Sequence, residues 1–334
     1  MSGIYDKANK KQLLASPIRL QMMNDTSSVY PAWEILYNAV SATPRSFVDE
    51  NVKIEITEKG PARASLKITR KKDNSVFVQY IRLAANSSRV EFENEVLWKS
   101  KNTLLKASFP LGVQNEKATY DLGFGTIQRG NNTEKLYEVP AQQWADITDK
   151  SGTYGVSILS DCKYGWDKPG NNTLRLTLFH TPKTMEGYKD QEVVDLGKHR
   201  FGFAVSGHAG DWRNGTAQQA AAFSQPLIAF ETKPFDGMMG RTLSFASVNS
   251  KQVTIRALKK AENGNEIVIR LQELYGKEAA GIKVKFPMRI TSARELNGAE
   301  EVLSKIALKD TVLVLNFKPY QPRTFAITLA PSYE

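Results

Sequence analysis

The chain has 334 residues, 41% apolar and 24% charged, an ordinary globular composition with room for two domains. Its net charge of +10 is spread along the chain, densest at Arg70-Lys71-Lys72, with no basic helical stripe and no zinc-finger or RNA-recognition motif, which argues against nucleic acid as a partner. One cysteine, Cys162, rules out an intrachain disulfide. There is no run of 18 apolar residues and no apolar N-terminal signal, so no membrane partner is expected and the chain reads as soluble, and cytoplasmic if complete.

Gly3 to Leu14 reads as two strands around a polar turn at Asp6 to Lys11. Asn24 to Ile35 is a loop carrying Tyr30 and Trp33 around Pro31. From Val52 the alternation is clear: Val52, Ile54 and Ile56 share a face, as do Ala62, Ala64, Leu66 and Ile68. A hairpin turn is expected at Asp73-Asn74-Ser75. Val76 to Leu83 is nearly continuous in apolar residues, as in a strand covered on both sides. Val90, Phe92, Val96 and Trp98 face away from Glu91, Glu93 and Glu95. Strands at about ten-residue spacing with turn signals between them predict an antiparallel sandwich. The good helix candidate is Thr216 to Phe223, stopped before Pro226.

A domain boundary is expected between Pro234 and Arg241, giving domains 1–235 and 241–334. Beyond it, Val253 to Ala257, Ile267 to Leu271, Ile282 to Phe286, Val312 to Val314 and Phe325 to Leu329 alternate, with turns at Asn263-Gly264 and Asn297-Gly298. These make a small terminal β-sandwich.

The most chemically loaded stretch is Asp161 to His180. Its first half gathers Asp161, Lys163, Tyr164, Trp166 and Asp167 into a turn-rich loop closed by Pro169-Gly170. Its second half is a strand with Leu174, Leu176 and Leu178 on one face. Aromatic faces stack on pyranose C–H surfaces while charged groups reach hydroxyls, so such a loop suits sugar contact; a structural Tyr and Trp in a surface loop is the plainer alternative. Asp195, His199, His208 and Asp211 offer nitrogen and oxygen ligands suited to zinc. Their spacing counts against a metal site, because His199 shares strand parity with Phe201 and Phe203. No Gly-x-Ser-x-Gly elbow occurs, and Gly-Phe-Gly at 123–125 reads as a turn between strands. Cys162 beside Lys163 allows either a thiol of lowered pKa or a packed thiol.

Several segments, in order, resemble the C-terminal β-rich half of the glycoside hydrolase family 38 α-mannosidases. They are Glu58 to Ala64, Leu104 to Pro110, Ala118 to Arg129, Glu138 to Ala141 with Trp144-Ala145-Asp146, Asp161-Cys162-Lys163-Tyr164-Gly165, Leu196 to Phe201, and His208 with Gly210-Asp211-Trp212. The resemblance implies an all-β fold: a large antiparallel supersandwich, galactose mutarotase-like, followed by a small β-sandwich. It also implies an α-mannoside or oligosaccharide ligand, with Arg129, Asp161, Lys163, Tyr164 and Trp166 as substrate-contact candidates. Retaining glycosidases need two carboxyl groups about 5–5.5 Å apart across the scissile bond. In this family those groups, and the zinc, belong to an N-terminal α/β catalytic domain, whose motifs have no counterpart here. No catalytic residue, metal ligand or cofactor is therefore expected in this chain; the catalytic domain becomes its expected partner, in the same or a separate chain. Where the family commonly has Pro-Thr-His after the arginine, this chain has Gly130-Asn131-Asn132, and Gln142 stands where the family often has histidine. The rival reading is a free-standing carbohydrate-binding or structural β-protein without hydrolysis, using Trp33, Tyr164 and Trp166 for stacking.

Overall fold

The alternation becomes paired strands from Tyr5 onward. The computed structural model describes the chain except residues 28–29, 235, 237–240, 309–311 and 331–334. It divides into two compact units, Met1–Pro226 and Leu227–Glu334. The first ends as the helix Thr216–Ser224 stops before Pro226. The segment expected to carry the boundary, Pro234 to Arg241, lies mostly outside the described residues.

Among the described residues, the first unit packs a nine-stranded sheet on a six-stranded one. The nine strands run in the order Thr126–Arg129, Ala118–Asp121, Trp144–Thr148, Tyr154–Ser160, Gly197–Ala209, Arg89–Trp98, Ser75–Ala84, Arg63–Lys72 and Lys53–Lys59. The six run Val139–Pro140, Gly165–Gly170, Thr173–Thr181, Thr103–Pro110, Arg19–Asn24 and Ser46–Phe47. Every pairing between these strands is antiparallel, as the sequence predicts. One continuous core lies between the sheets. Phe109 of the smaller sheet meets Phe203 of the larger edge to face at 5.3 Å, and Trp98 stacks on Phe179 at 4.9 Å.

The expected hairpin at Asp73 forms with Lys72 opposite Ser75, and Asp73 and Asn74 both take left-handed φ values of 45° and 62°. That is the geometry a two-residue hairpin needs, and Asp and Asn tolerate it best after glycine. One expectation is corrected and another holds with a difference in burial. Ser75–Ala84 is not covered on both sides: Phe77, Gln79 and Ile81 point into the core while Val76, Val78 and Tyr80 are half-buried. Val52, Ile54 and Ile56 do share a face, but all three are exposed, because their strand ends the sheet. At Gly155, opposite His208, an added Cβ would lie 2.4 Å from the imidazole, so this register admits only glycine.

The second unit, taken by itself, has sheets of three and five strands among its described residues. Val253, Ile269, Leu271, Val284, Leu313 and Phe325 are among the residues that form its core.

Candidate functional site

The ends of Ala118–Asp121, Trp144–Thr148 and Tyr154–Ser160 meet beside Gly202 of the strand Gly197–Ala209. Gln142 N donates to Asp121 O (2.8 Å), and Gln143 N to Asp121 Oδ2 (3.0 Å). Ser160 N donates to Gln143 O (2.9 Å), and Asp161 N to Gly202 O (3.3 Å). This ladder seats the turn 161–164. Asp161 Oδ2 accepts from Gly202 N at 2.8 Å, and Lys163 N donates to Ser160 Oγ at 3.0 Å. Gly202 is confined: a Cβ there would fall 2.9 Å from the Phe223 ring and 3.1 Å from Asp161.

The same backbone contacts bring Arg129 beside the turn. Ala141 N donates to Tyr164 O (3.0 Å), and Arg129 Nη1 donates to the neighbouring carbonyl of Pro140 (2.8 Å). Arg129 also lies over the Tyr120 ring at 5.2 Å. Burial lowers its pKa from the ordinary guanidinium value. Tyr164 is 52% exposed, so its ring is available to a ligand. Lys163 points inward, its Nζ 4.8 Å from the Phe179 ring and 5.2 Å from that of Phe201. Burial lowers its ammonium pKa. Cys162 is exposed, but desolvation of its thiol and the Asp161 carboxylate push its pKa up to about 12, so it is a protonated thiol rather than an activated one.

Trp166 requires a correction. It is not in a loop: residues 165–170 form a strand paired with Thr173–Thr181, and Trp166 is fully buried opposite Leu176. Its ring packs into the core between the sheets and cannot stack on a sugar. The turn-rich segment is only 161–164, and the tight turn lies after Gly170 rather than before it.

That strand also places a charge cluster that the sequence reading missed. Asp167 is fully buried between Lys106 (Nζ–Oδ1 2.9 Å) and Arg175 (Nη2–Oδ2 2.5 Å). Lys106 Nζ donates as well to Glu138 Oε2 (2.5 Å) and to Thr177 Oγ1 (2.7 Å), and Thr177 Oγ1 donates to the other oxygen of Glu138. Asn132 donates to Asp167 Oδ2 at 2.7 Å, and Arg175 to Val40 O at 2.8 Å. Two cations and two carboxylates balance, as buried charge requires. The neighbouring Lys168 donates to Asn115 O, Asn131 Oδ1 and Gly170 O at 2.7, 2.6 and 2.8 Å, and burial lowers its pKa to about 8. Asn131 and Asn132 thus hold buried charges. The available signal was Lys106, an isolated charge inside the apolar strand Thr103–Pro110.

The four metal-type residues do not converge on one point, and the Asp195 carboxylate accepts from His180 N at 2.9 Å. His199 Nε2 lies 2.6 Å from Asp195 O, and its ring packs on Phe179. His208 Nε2 bonds Asp146 Oδ2 at 2.7 Å, and Asp211 pairs with Arg213 at 2.6 Å. His199 and His208 are nine residues apart on one strand, roughly 30 Å. Among the described residues no His, Cys, Asp or Glu group is placed to hold an ion. These residues do not fit a zinc site.

Comparison with known proteins follows the same lines. The family model for the glycosyl hydrolases family 38 C-terminal domain matches residues 1–187, and that for the family's C-terminal beta sandwich domain matches residues 252–325. The chain belongs to glycosyl hydrolase family 38. This family 38 chain is 27% identical over 319 residues to mouse alpha-mannosidase 2C1, covering 92% of the chain and 30% of the relative. It is 27% identical to Dictyostelium discoideum alpha-mannosidase G, covering 92% of the chain and 28% of that protein. It therefore spans about 30% of the length of those relatives. A family 38 protein from Enterococcus faecalis superposes with a TM-score of 0.78 at 17% identity, covering 98% of this chain and 42% of that one. That likeness establishes the family's C-terminal β-fold. No helix among the described residues is long and apolar enough to cross a membrane.

Proposed function

We propose that this chain serves as the C-terminal half of a family 38 α-mannosidase. In that role it scaffolds a catalytic α/β domain, supplied on the same or a separate chain, and lines one side of an α-mannoside cleft. The nucleophile, the acid and the zinc belong to the catalytic half, and the chain alone does not hydrolyse. The observation that carries this reading is coverage: both C-terminal family models match, while the chain corresponds to about 30% of its relatives.

The contribution to the cleft comes from the turn 161–164 and Arg129. Tyr164 offers an exposed ring face to a pyranose. Arg129, tied to Pro140, offers a fixed cation beside it. Asp161 holds the turn through Gly202 N, and Lys163 stiffens it over Phe179 and Phe201; both act by positioning. The test is to co-express the chain with a family 38 catalytic half and follow association and aryl α-mannoside hydrolysis. Activity is expected only in the assembled protein, with kcat/KM about tenfold lower for Tyr164→Ala and Arg129→Ala. Unchanged kinetics in both variants would remove these residues from the cleft.

A further inference from the structure

A second aromatic surface borders the strand that follows the 161–164 turn, where a Cβ on Gly165 would fall 2.7 Å from Glu138 Oε1. The segments 30–35 and 135–138 line a groove of 670 Å³. One wall carries Tyr30 and Trp33, edge to face at 6.0 Å, and Trp33 is 87% exposed. The other carries Leu136 and Glu138. The walls are tied together: Tyr137 Oη donates to Ile35 O at 2.9 Å, and the rings of Tyr37 and Tyr137 meet at 5.3 Å. Trp33 N and Glu34 N both donate to Tyr30 O (3.0 and 2.8 Å), and Ala32 N donates to Gln191 Oε1 (2.9 Å). The Trp33 platform is thus fixed at its backbone.

Both carboxylates of the groove are held in place. Ser27 Oγ donates to Glu34 Oε2 at 2.9 Å. Glu138 is gripped from beneath by the fully buried Lys106 and by Thr177, yet its side chain keeps 18% of its surface open. A carboxylate braced from behind, with accepting capacity left over, suits hydroxyl donors. An exposed indole face suits the apolar face of a pyranose. We infer that this groove is a saccharide-binding site, taking one pyranose of an oligosaccharide on Trp33 with its hydroxyls on Glu34 and Glu138. The site is built wholly from this chain and does not require a catalytic half.

Trp33 itself supplies the readout. The chain has five tryptophans, and Trp98, Trp144, Trp166 and Trp212 are all buried. Quenching of tryptophan emission by acrylamide therefore reports chiefly on Trp33. The purified 334-residue chain is titrated with mannotriose, with maltotriose as a stereochemical control, by quenching protection and by calorimetry. Saturable protection by mannotriose, with affinity falling at least tenfold in Trp33→Ala and several-fold in Tyr30→Ala, is the expected result. Trp33 is so exposed that its alanine variant keeps the fold, which a circular dichroism melt checks. No protection by tens of millimolar mannotriose overturns the inference, as does equal affinity in Trp33→Ala. So does a Trp33→Ala variant that keeps sugar binding but no longer associates with a catalytic half, which makes the groove a domain interface. The cleft reading fails separately, through the kinetics of the Arg129 and Tyr164 variants in the assembled enzyme.

Discussion

Replacing Asp167 by asparagine removes one fully buried negative charge from the cluster and changes almost no volume. Lys106 then keeps Glu138 as its carboxylate, but Arg175 keeps only neutral acceptors such as Val40 O. Both cations remain buried. Removing one partner of a buried ion pair typically costs about 3–5 kcal/mol, because the remaining charge is left without compensation. For a unit of this size about 1 kcal/mol moves the melting temperature by about 2–4 °C, so Asp167→Asn should melt roughly 6–20 °C lower. Burial pushes the Asp167 carboxyl up, but the charges of Lys106 and Arg175, with hydrogen bonds from Arg175 and Asn132, outweigh it and hold the group below the ordinary range. A depressed carboxyl contributes stability that is present above its unfolded value of about 4 and is lost as pH falls through the folded value. The variant should therefore lack part of the wild-type acid-side decline. Calorimetric melts from pH 3 to 8 measure both effects. A melting change under about 2 °C at pH 7, or an unchanged acid limb, would refute the argument that the cluster is a balanced buried set.

His208 gives a prediction of the opposite sign. Burial lowers its pKa, but the hydrogen bond and charge of Asp146 more than offset this, so the net shift is upward. Its stabilisation is complete below about pH 6.5 and lost as pH rises through the folded value; melts of wild type should decline on that rise, and those of His208→Gln should not. Cys162, with its thiol near 12, should react with iodoacetamide at pH 8 about a hundredfold more slowly than a free thiol, and Asp161→Asn should speed that reaction. In the hairpin, Asn74→Val should cost about 1–2 kcal/mol in a urea melt, because Asn74 sits at φ 62°, whereas Asn74→Gly should cost almost nothing.

Most of the sandwich was legible because period-two alternation and turn chemistry are local signals. The Asp73-Asn74 hairpin, the strand carrying Phe92, Val96 and Trp98, and the helix from Thr216 were read from neighbours in sequence. Trp166 was misread because Asp167, Lys168 and Pro169 beside it look like loop residues. They sit in a strand because Lys106, Arg175, Asn131 and Asn132 satisfy the two charges, and all but Arg175 lie more than 30 positions away. Burial of charge by distant partners leaves no periodic trace in the strand itself. The Tyr30–Trp33 groove was half visible, since Trp33 could be read as a stacking residue. Its second wall comes from residues about a hundred positions later.

Hydrolysis of an aryl α-mannoside by the purified chain, with and without added zinc, tests the central claim most directly. The account predicts no turnover under either condition from a folded β-protein, and turnover once a family 38 catalytic half is bound. Zinc-dependent turnover by the chain alone would contradict it, and would direct attention back to Asp195, His199, His208 and Asp211.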